Sequence, residues 1–356
     1  METDQIIGFG LMLAGAICGG SFGLPSKYVK KETPWEVLWG PFFFFVTILI
    51  PIVVAPLVVN DLGGIYSRVG TNTIIAVLAF GLLWGLGSMT LGMSFAFIGL
   101  SLAYALNYGA QIVCGSMMPM LLFDADQILT SHGYVILAGV AVCLVGVVVS
   151  GRAGILKERS LKKDGPEAKP DQEEASAVKK PKMLIGLVIG VGSGILCACY
   201  ALASAYAEPI GKEAQDAVLN NADWAAAWAV TAMILWGGAV SSCLYCAVQL
   251  TRNKTWGHLA KPGVGRVLLL AAVMAVLHDA AIFFFGLGWL HLGGLGVSVG
   301  YPVFMSFAII VGNVHGFRTG EWKGASRESI VWIIVGIALL IVGVCLLAQG
   351  KAMMPS

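Results

Sequence analysis

Ten predominantly apolar runs, each about the length of a membrane crossing, follow one another along this chain. They are Ile6 to Tyr28, Val37 to Val59, Thr73 to Phe97, Leu100 to Phe123, Tyr134 to Ser150, Leu184 to Ala207, Trp224 to Leu250, Val264 to Trp289, Gly293 to Phe317 and Ser329 to Leu347. A hydrocarbon slab about 30 Å thick needs about 20 residues at 1.5 Å each. The runs are too long and too continuously apolar for barrel strands, so helices are expected. With 58% hydrophobic and 12% charged residues, the chain carries about half the charge of a soluble domain. The expected fold is an all-α membrane protein with ten transmembrane helices; nine or eleven are the nearest alternatives. Phe97-Ile98-Gly99 and His291-Leu292-Gly293 leave almost no loop, which predicts tight hairpins turning at glycine.

The basic residues are unevenly shared between alternate loops. Those after the first, third, fifth, seventh and ninth runs hold all of the 22 Lys and Arg except Arg68, Lys212 and Lys351. Positive loops stay inside, so these are expected in the cytoplasm and both termini outside it. Positive charge follows the first run rather than preceding it, so no cleaved leader is expected. Residues 151–182 mix nine basic and six acidic side chains with Pro166, Pro170 and Pro181. Such a stretch reads as a mobile cytoplasmic linker between an N-terminal unit, 1–150, and a C-terminal unit, 183–356.

The two units resemble each other. A shift of 178 pairs Ile7-Gly8 with Ile185-Gly186, Phe22 with Tyr200 and Ser26 with Ser204; a shift of 194 pairs Gly92 with Gly286; a shift of 197 pairs Gly139 with Gly336 and Gly146 with Gly343. An ordered set of slowly growing shifts indicates a repeat. Five helices per unit make the second start from the opposite side, hence two inverted five-helix repeats with a site between them near mid-membrane.

Asp279 falls near the middle of the eighth run, directly after His278. A carboxylate at that depth costs roughly 2.5 to 3.5 kcal/mol on insertion, so it should line a protected polar space. The pair reads as a proton relay, an acid that takes up a proton from one side and releases it to the other; the alternative is a structural pair. Adjacent helical residues point about 100° apart, so one of the two, Asp279, is expected to face the cavity.

Several motifs resemble one family. They are Phe22-Gly23-Leu24-Pro25-Ser26-Lys27-Tyr28-Val29-Lys30-Lys31 with Trp35-Glu36 and Trp39, then Trp84-Gly85-Leu86-Gly87, the run from Gly151 to Arg159, and Glu321-Trp322. Together they are similar to the L-rhamnose/proton symporter family of the drug/metabolite transporter superfamily, over essentially the whole chain. The resemblance implies uptake of a deoxyhexose with protons by a ten-helix carrier of the bacterial inner membrane. The chain departs from the family pattern at Leu277 to Phe285, where His278-Asp279 stands and a glutamine is missing.

A sugar would meet the remaining intramembrane polar and aromatic groups. Tyr104, Asn107 and Gln111 share one helix face and can offer hydroxyl and amide groups; bonding between helices, for about 0.6 to 2 kcal/mol, is the alternative. Ser21 and Phe22, with Tyr200 and Ser204, hold repeat-related positions and pair aromatic faces with hydroxyls, as do Trp84 and Tyr301; plain packing is the alternative. Pro302 would break the ninth helix beside them. Lys27 and Glu36 flank the first cytoplasmic turn as a possible gate, or as headgroup anchors. The eight cysteines lie inside apolar runs and read as small hydrophobes, with no metal site. No cofactor and no nucleic-acid partner are expected; the partners are a sugar, a proton and the lipid bilayer, with the oligomeric state open.

The leading reading is proton-coupled, alternating-access uptake of L-rhamnose or a close relative. A different sugar or small metabolite, or sodium coupling, is the nearest alternative. A polytopic enzyme would need paired loop groups, and Asp124, Asp126, Asp216 and Asp223 have none in sequence. A sensor or scaffold would not need a protected acid.

Overall fold

The structure is a computed structural model and describes residues 3–123, 126, 128–163, 183–292 and 301–353. Every regular element among them is helical. The helices are α1 (Thr3–Ser21), α2 (Trp35–Phe44), α3 (Ile50–Val58), α4 (Leu62–Arg68), α5 (Thr71–Phe123), α6 (Ser131–Lys163), α7 (Met183–Cys197), α8 (Cys199–Tyr206), α9 (Glu208–Ala214), α10 (Asp223–Arg252), α11 (Val264–Leu292), α12 (Tyr301–Arg318) and α13 (Arg327–Ala352). Eight stretches among the described residues are long and apolar enough to cross a membrane, and Val303–Arg318 is a shorter apolar helix. Leu57, Val148, Val188, Leu244 and Leu269 point outward from five different helices. A surface this apolar is a liability in water and a contact surface in lipid.

Local sequence explains the irregularities. Pro51 offers no N–H to the Thr47 carbonyl and its ring crowds that oxygen, so the rod from α2 to α3 passes through one widened turn, Phe45–Leu49. Gly99 breaks α5 with φ 82° and ψ 172°, a conformation open to glycine and closed to most other residues. The chain reverses there. A Cβ on Gly186 of α7 would touch Phe97 and Ile98, one on Gly194 would touch Asn107, and one on Gly87 would touch Leu196 and Cys197. Thus α7 lies between the two arms of α5, and the hairpin expected at Phe97-Ile98-Gly99 is present. The hairpin expected at His291-Leu292-Gly293, and the start of the ninth run, fall outside the described residues.

One expected boundary moves. Helix α6 continues through Lys163, past Gly151, where the linker was expected to begin. The polar look of 151–163 hides a packed face. Ala153 and Ser150 are fully buried, Arg152 lies 4.2 Å over the Trp332 ring, and Lys157 lies 4.7 Å over Trp322. Such cation–π contacts hold long basic side chains against the protein while their stems cover apolar surface. The rest of the expected linker, 164–182, lies outside the described residues.

Packing brings together helices far apart in the chain. Helix α1 lies against α11 and α12, while α7 lies against both arms of α5; α10 packs on α5, α2 and α3, and α13 runs along α6. The last pair is close enough that a Cβ on Gly139 would stand 2.9 Å from the Gly343 carbonyl and one on Gly146 would stand 3.1 Å from that of Gly336. Without a hydrophobic force between helices in lipid, such small-residue seams supply van der Waals contact in its place.

Candidate functional site

Helix α11 carries His278 and Asp279 into the interior. The Asp279 residue is 6% exposed, its Oδ1 lies 2.9 Å from His278 Nδ1, and its Oδ2 is buried without a hydrogen-bond partner among the described residues. An unpaired buried carboxylate oxygen is expensive to maintain, so a free acceptor here needs a reason beyond packing. The His278 ring stands edge-on to Phe22 at 5.4 Å and Phe42 at 6.0 Å, and tilted to Trp84 at 6.0 Å. Trp84 in turn meets Tyr200 at 5.8 Å. The imidazole folds back onto its neighbour's carboxylate, so both side chains lie in the interior.

A cavity of about 230 Å³ lies between the first half of α10 and the last half of α11, with Asp223, Trp224, Trp228, Thr231, Ile282 and Phe283 among its walls. Ile282 follows Asp279 by three positions and shares its helix face. The cavity therefore begins one turn from the acid. Asp223, read in the sequence only as an isolated loop acid, stands where this cavity meets the helix terminus.

The other expected residues divide by what they touch. Phe22 joins the aromatic cluster around His278. Tyr104 is fully buried and its hydroxyl accepts the Gly23 N–H at 2.9 Å, which ties it to the turn after α1. Asn107 donates to Ser193 Oγ at 2.9 Å and to Cys197 Sγ at 3.7 Å, leaving Oδ1 buried and unpartnered among the described residues. Gln111 is half-buried one turn along. Ser21 Oγ and His315 Nε2 share a 2.9 Å hydrogen bond between α1 and α12. Ser204 donates to the Tyr200 carbonyl of its own helix. Tyr301 opens α12, and its side chain and that of Pro302 lie outside the described part.

Lys27 and Glu36 do not pair with each other. Lys27 Nζ lies 2.8 Å from Glu321 Oε1, and the same carboxylate accepts the N–H groups of Leu100 at 2.6 Å and Ser101 at 3.1 Å. Glu321 thus caps the second arm of α5, satisfying N–H groups that a helix start leaves free. Glu36 accepts from Asn253 Nδ2 at 3.0 Å and Thr255 Oγ1 at 2.8 Å. At the opposite end Asn60 N–H donates to Asn221 Oδ1 at 2.7 Å, and Arg68 pairs with Glu213 and Asp61. Glu321, Asn253, Thr255 and His315 were not among the expected site residues; the Glu321-Trp322 motif was the one signal pointing at them.

Eight stretches of membrane-crossing length among the described residues, with a buried acid on one of them, define a multi-pass membrane protein. Comparison makes this specific: residues 1–353 match the L-rhamnose-proton symport protein family, and the chain belongs to that family. Its relatives include L-rhamnose-proton symporters of Escherichia coli and Shigella boydii serotype 18, each 28% identical over 359 residues that cover 99% of this chain and 100% of the relative. These relatives are transporters rather than enzymes. No solved structure matches the chain.

Proposed function

We propose that this chain takes L-rhamnose or a closely related sugar across the bacterial inner membrane together with a proton. The observation that carries the reading is Asp279, whose second oxygen is buried, without a hydrogen-bond partner among the described residues, and one turn from a cavity. A proton arriving from outside neutralises the acid; the sugar occupies the adjoining aromatic space; the loaded protein then opens inward and releases both. The driving energy is about 2.3 kcal/mol per charge per 100 mV of potential.

The reading uses ten helices in two inverted halves, 1–150 and 183–356, joined through 151–182. Dividing α5 at Gly99 and adding α12 to the crossing stretches gives that count. A two-fold relation between halves requires reciprocal contacts, and the α6–α13 seam has them: Gly139 meets Gly343 while Gly146 meets Gly336, the partners expected from a shift of 197. Likewise the first helix packs on the eighth and ninth, and the sixth on the third and fourth.

Alternating access then has two gates. The inner one joins Lys27 to Glu321 and Glu36 to the turn after α10; the outer one joins Arg68 to Glu213 and Asn60 to Asn221. The Lys27 and Glu321 side chains are 29% and 7% exposed, those of Arg68 and Glu213 43% and 29%. Exposed pairs contribute about 0 to 1 kcal/mol, and opening the inner gate would also strip the Leu100 and Ser101 N–H groups of their carboxylate acceptor. The outer gate therefore yields first, leaving a resting state that leans outward. With the basic loops on the inner side, both termini lie outside.

Proteoliposome uptake tests the function. An inward proton gradient should drive accumulation of labelled L-rhamnose, and a sodium gradient alone should not. The His278-Asp279 departure from the family pattern favours testing a panel of deoxy sugars and hexoses in the same vesicles. If none accumulates under either gradient, the reading fails.

A further inference from the structure

The end of the bundle that carries the inner gate also holds a pocket of about 150 Å³ that no part of the transport cycle uses. Tyr28, Lys30 and Thr33, from the segment after α1, form one wall; His258, Lys261 and Arg266, from the turn before α11 and its first turn, form the other. The polypeptide bends sharply at Gly263, with φ 91°, to bring Lys261 and Arg266 to the same concavity. Lys261 Nζ lies 3.0 Å from His258 Nε2, and Arg266 donates to the Tyr28 carbonyl at 3.4 Å. No acidic residue lines the pocket, and Lys30, Lys261 and Arg266 have no ion pair among the described residues. Lys27, Arg68 and Lys212, by contrast, each have a carboxylate partner.

Three cations drawn together beside a hydroxyl and a phenol repel one another unless an anion occupies the space between them. Arg and Lys at this spacing suit phosphate oxygens, the guanidinium through its paired N–H groups and the ammonium as a point charge. Basic pockets between helices at the inner membrane surface are a recurrent setting for phospholipid headgroups. We propose that this pocket binds a phosphate-bearing anion, either a phospholipid headgroup or free inorganic phosphate. Because one wall belongs to the first half of the chain and the other to the second, the bound anion clamps the inner end shut beside Lys27–Glu321. The clamping role rests on the orientation given under the proposed function; the binding itself does not.

Thermal unfolding of the purified full-length protein tests it with two probes. One is inorganic phosphate titrated in detergent at ionic strength matched with potassium chloride. The other is vesicles in which phosphatidylglycerol replaces phosphatidylcholine stepwise. The unfolding midpoint should rise with at least one probe. Lys30→Gln, Lys261→Gln and Arg266→Gln combined should weaken that response by roughly fivefold for each charge removed. Arg159→Gln, Lys323→Gln and Arg327→Gln combined remove the same charge from elsewhere on that end and should leave the response intact. A response to phosphate alone identifies the free anion, and one to phosphatidylglycerol alone identifies the headgroup. No response to either probe, a response that the pocket variant keeps, or one that both variants lose alike overturns the proposal. If the triple variant does not fold, Lys261→Gln is set against Lys323→Gln by the same criteria. The readout is binding, so a failure of rhamnose transport would not decide it.

Discussion

Asp279 and Asn107 are both buried polar side chains with an oxygen that has no hydrogen-bond partner among the described residues, yet their surroundings differ. Asn107 spends its amide N–H groups on Ser193 across the α5–α7 contact, and a Cβ on Gly194 would stand 2.3 Å from the Asn107 carbonyl. Helices that close leave little space for a sugar. Replacing Asn107 by Ala should therefore lower thermal stability by about 1 kcal/mol and change the apparent affinity for sugar less than about twofold. Uptake kinetics beside a melting curve separate the two effects; a tenfold rise in KM with unchanged stability would make Asn107 a ligand. Glu321 holds Lys27 and two backbone N–H groups at once. Glu321→Gln should cost about 1 to 3 kcal/mol, since Lys27 and two backbone N–H groups lose a charged acceptor, and Lys27→Met in the same chain should restore part of it. A double-mutant cycle in denaturant reads the coupling. The buried acid at Asp279 was legible in the sequence because depth alone makes a charge conspicuous. The cap was not, since Glu321 and Ser101 are 220 positions apart and the local sequence of neither reveals the other.

At the scale of the element, hydropathy located the helices and glycine located their tightest points. The turn at Gly99 was readable because two apolar runs met there with no room for a loop. The length of α6 was not, because Arg152 and Lys157 look solvated until Trp332 and Trp322 are brought over them by a distant segment. Nor could apolar runs alone reveal the widened turn before Pro51, which depends on one missing N–H. The α6–α13 seam makes its own prediction. A Cβ on Gly139 would stand 2.7 Å from the Leu347 nitrogen, whereas nothing lies within 4 Å of one on Gly151 in the same helix. Gly139→Val should then destabilise the protein by about 1 to 3 kcal/mol and Gly151→Val by much less. Equal melting temperatures for the two variants would mean that the seam is looser than described.

At the scale of the whole molecule, the two ends differ in how they are held. One is closed by a buried carboxylate serving three partners, the other by exposed ion pairs and asparagine contacts. Between them lies an aromatic cluster contributed by the turn after α1 and by α2, α5 and α8 around a histidine from α11, with the acid beside it and a cavity a turn away. The sequence pointed to most of that cluster, Phe22, Trp84, Tyr200 and His278, as single residues; Phe42 and the cavity walls emerged only once α2, α10 and α11 were brought together. The cycle stands or falls on whether the Asp279 carboxyl carries the proton that moves with the sugar. Adding L-rhamnose to weakly buffered proteoliposomes at equal pH on both sides should make the outside medium alkaline, because each sugar taken up removes a proton from it. Asp279→Asn should abolish that alkalinisation while still binding rhamnose, seen as a raised melting temperature. An Asp279→Asn protein that alkalinises the medium at the wild-type rate would contradict the account.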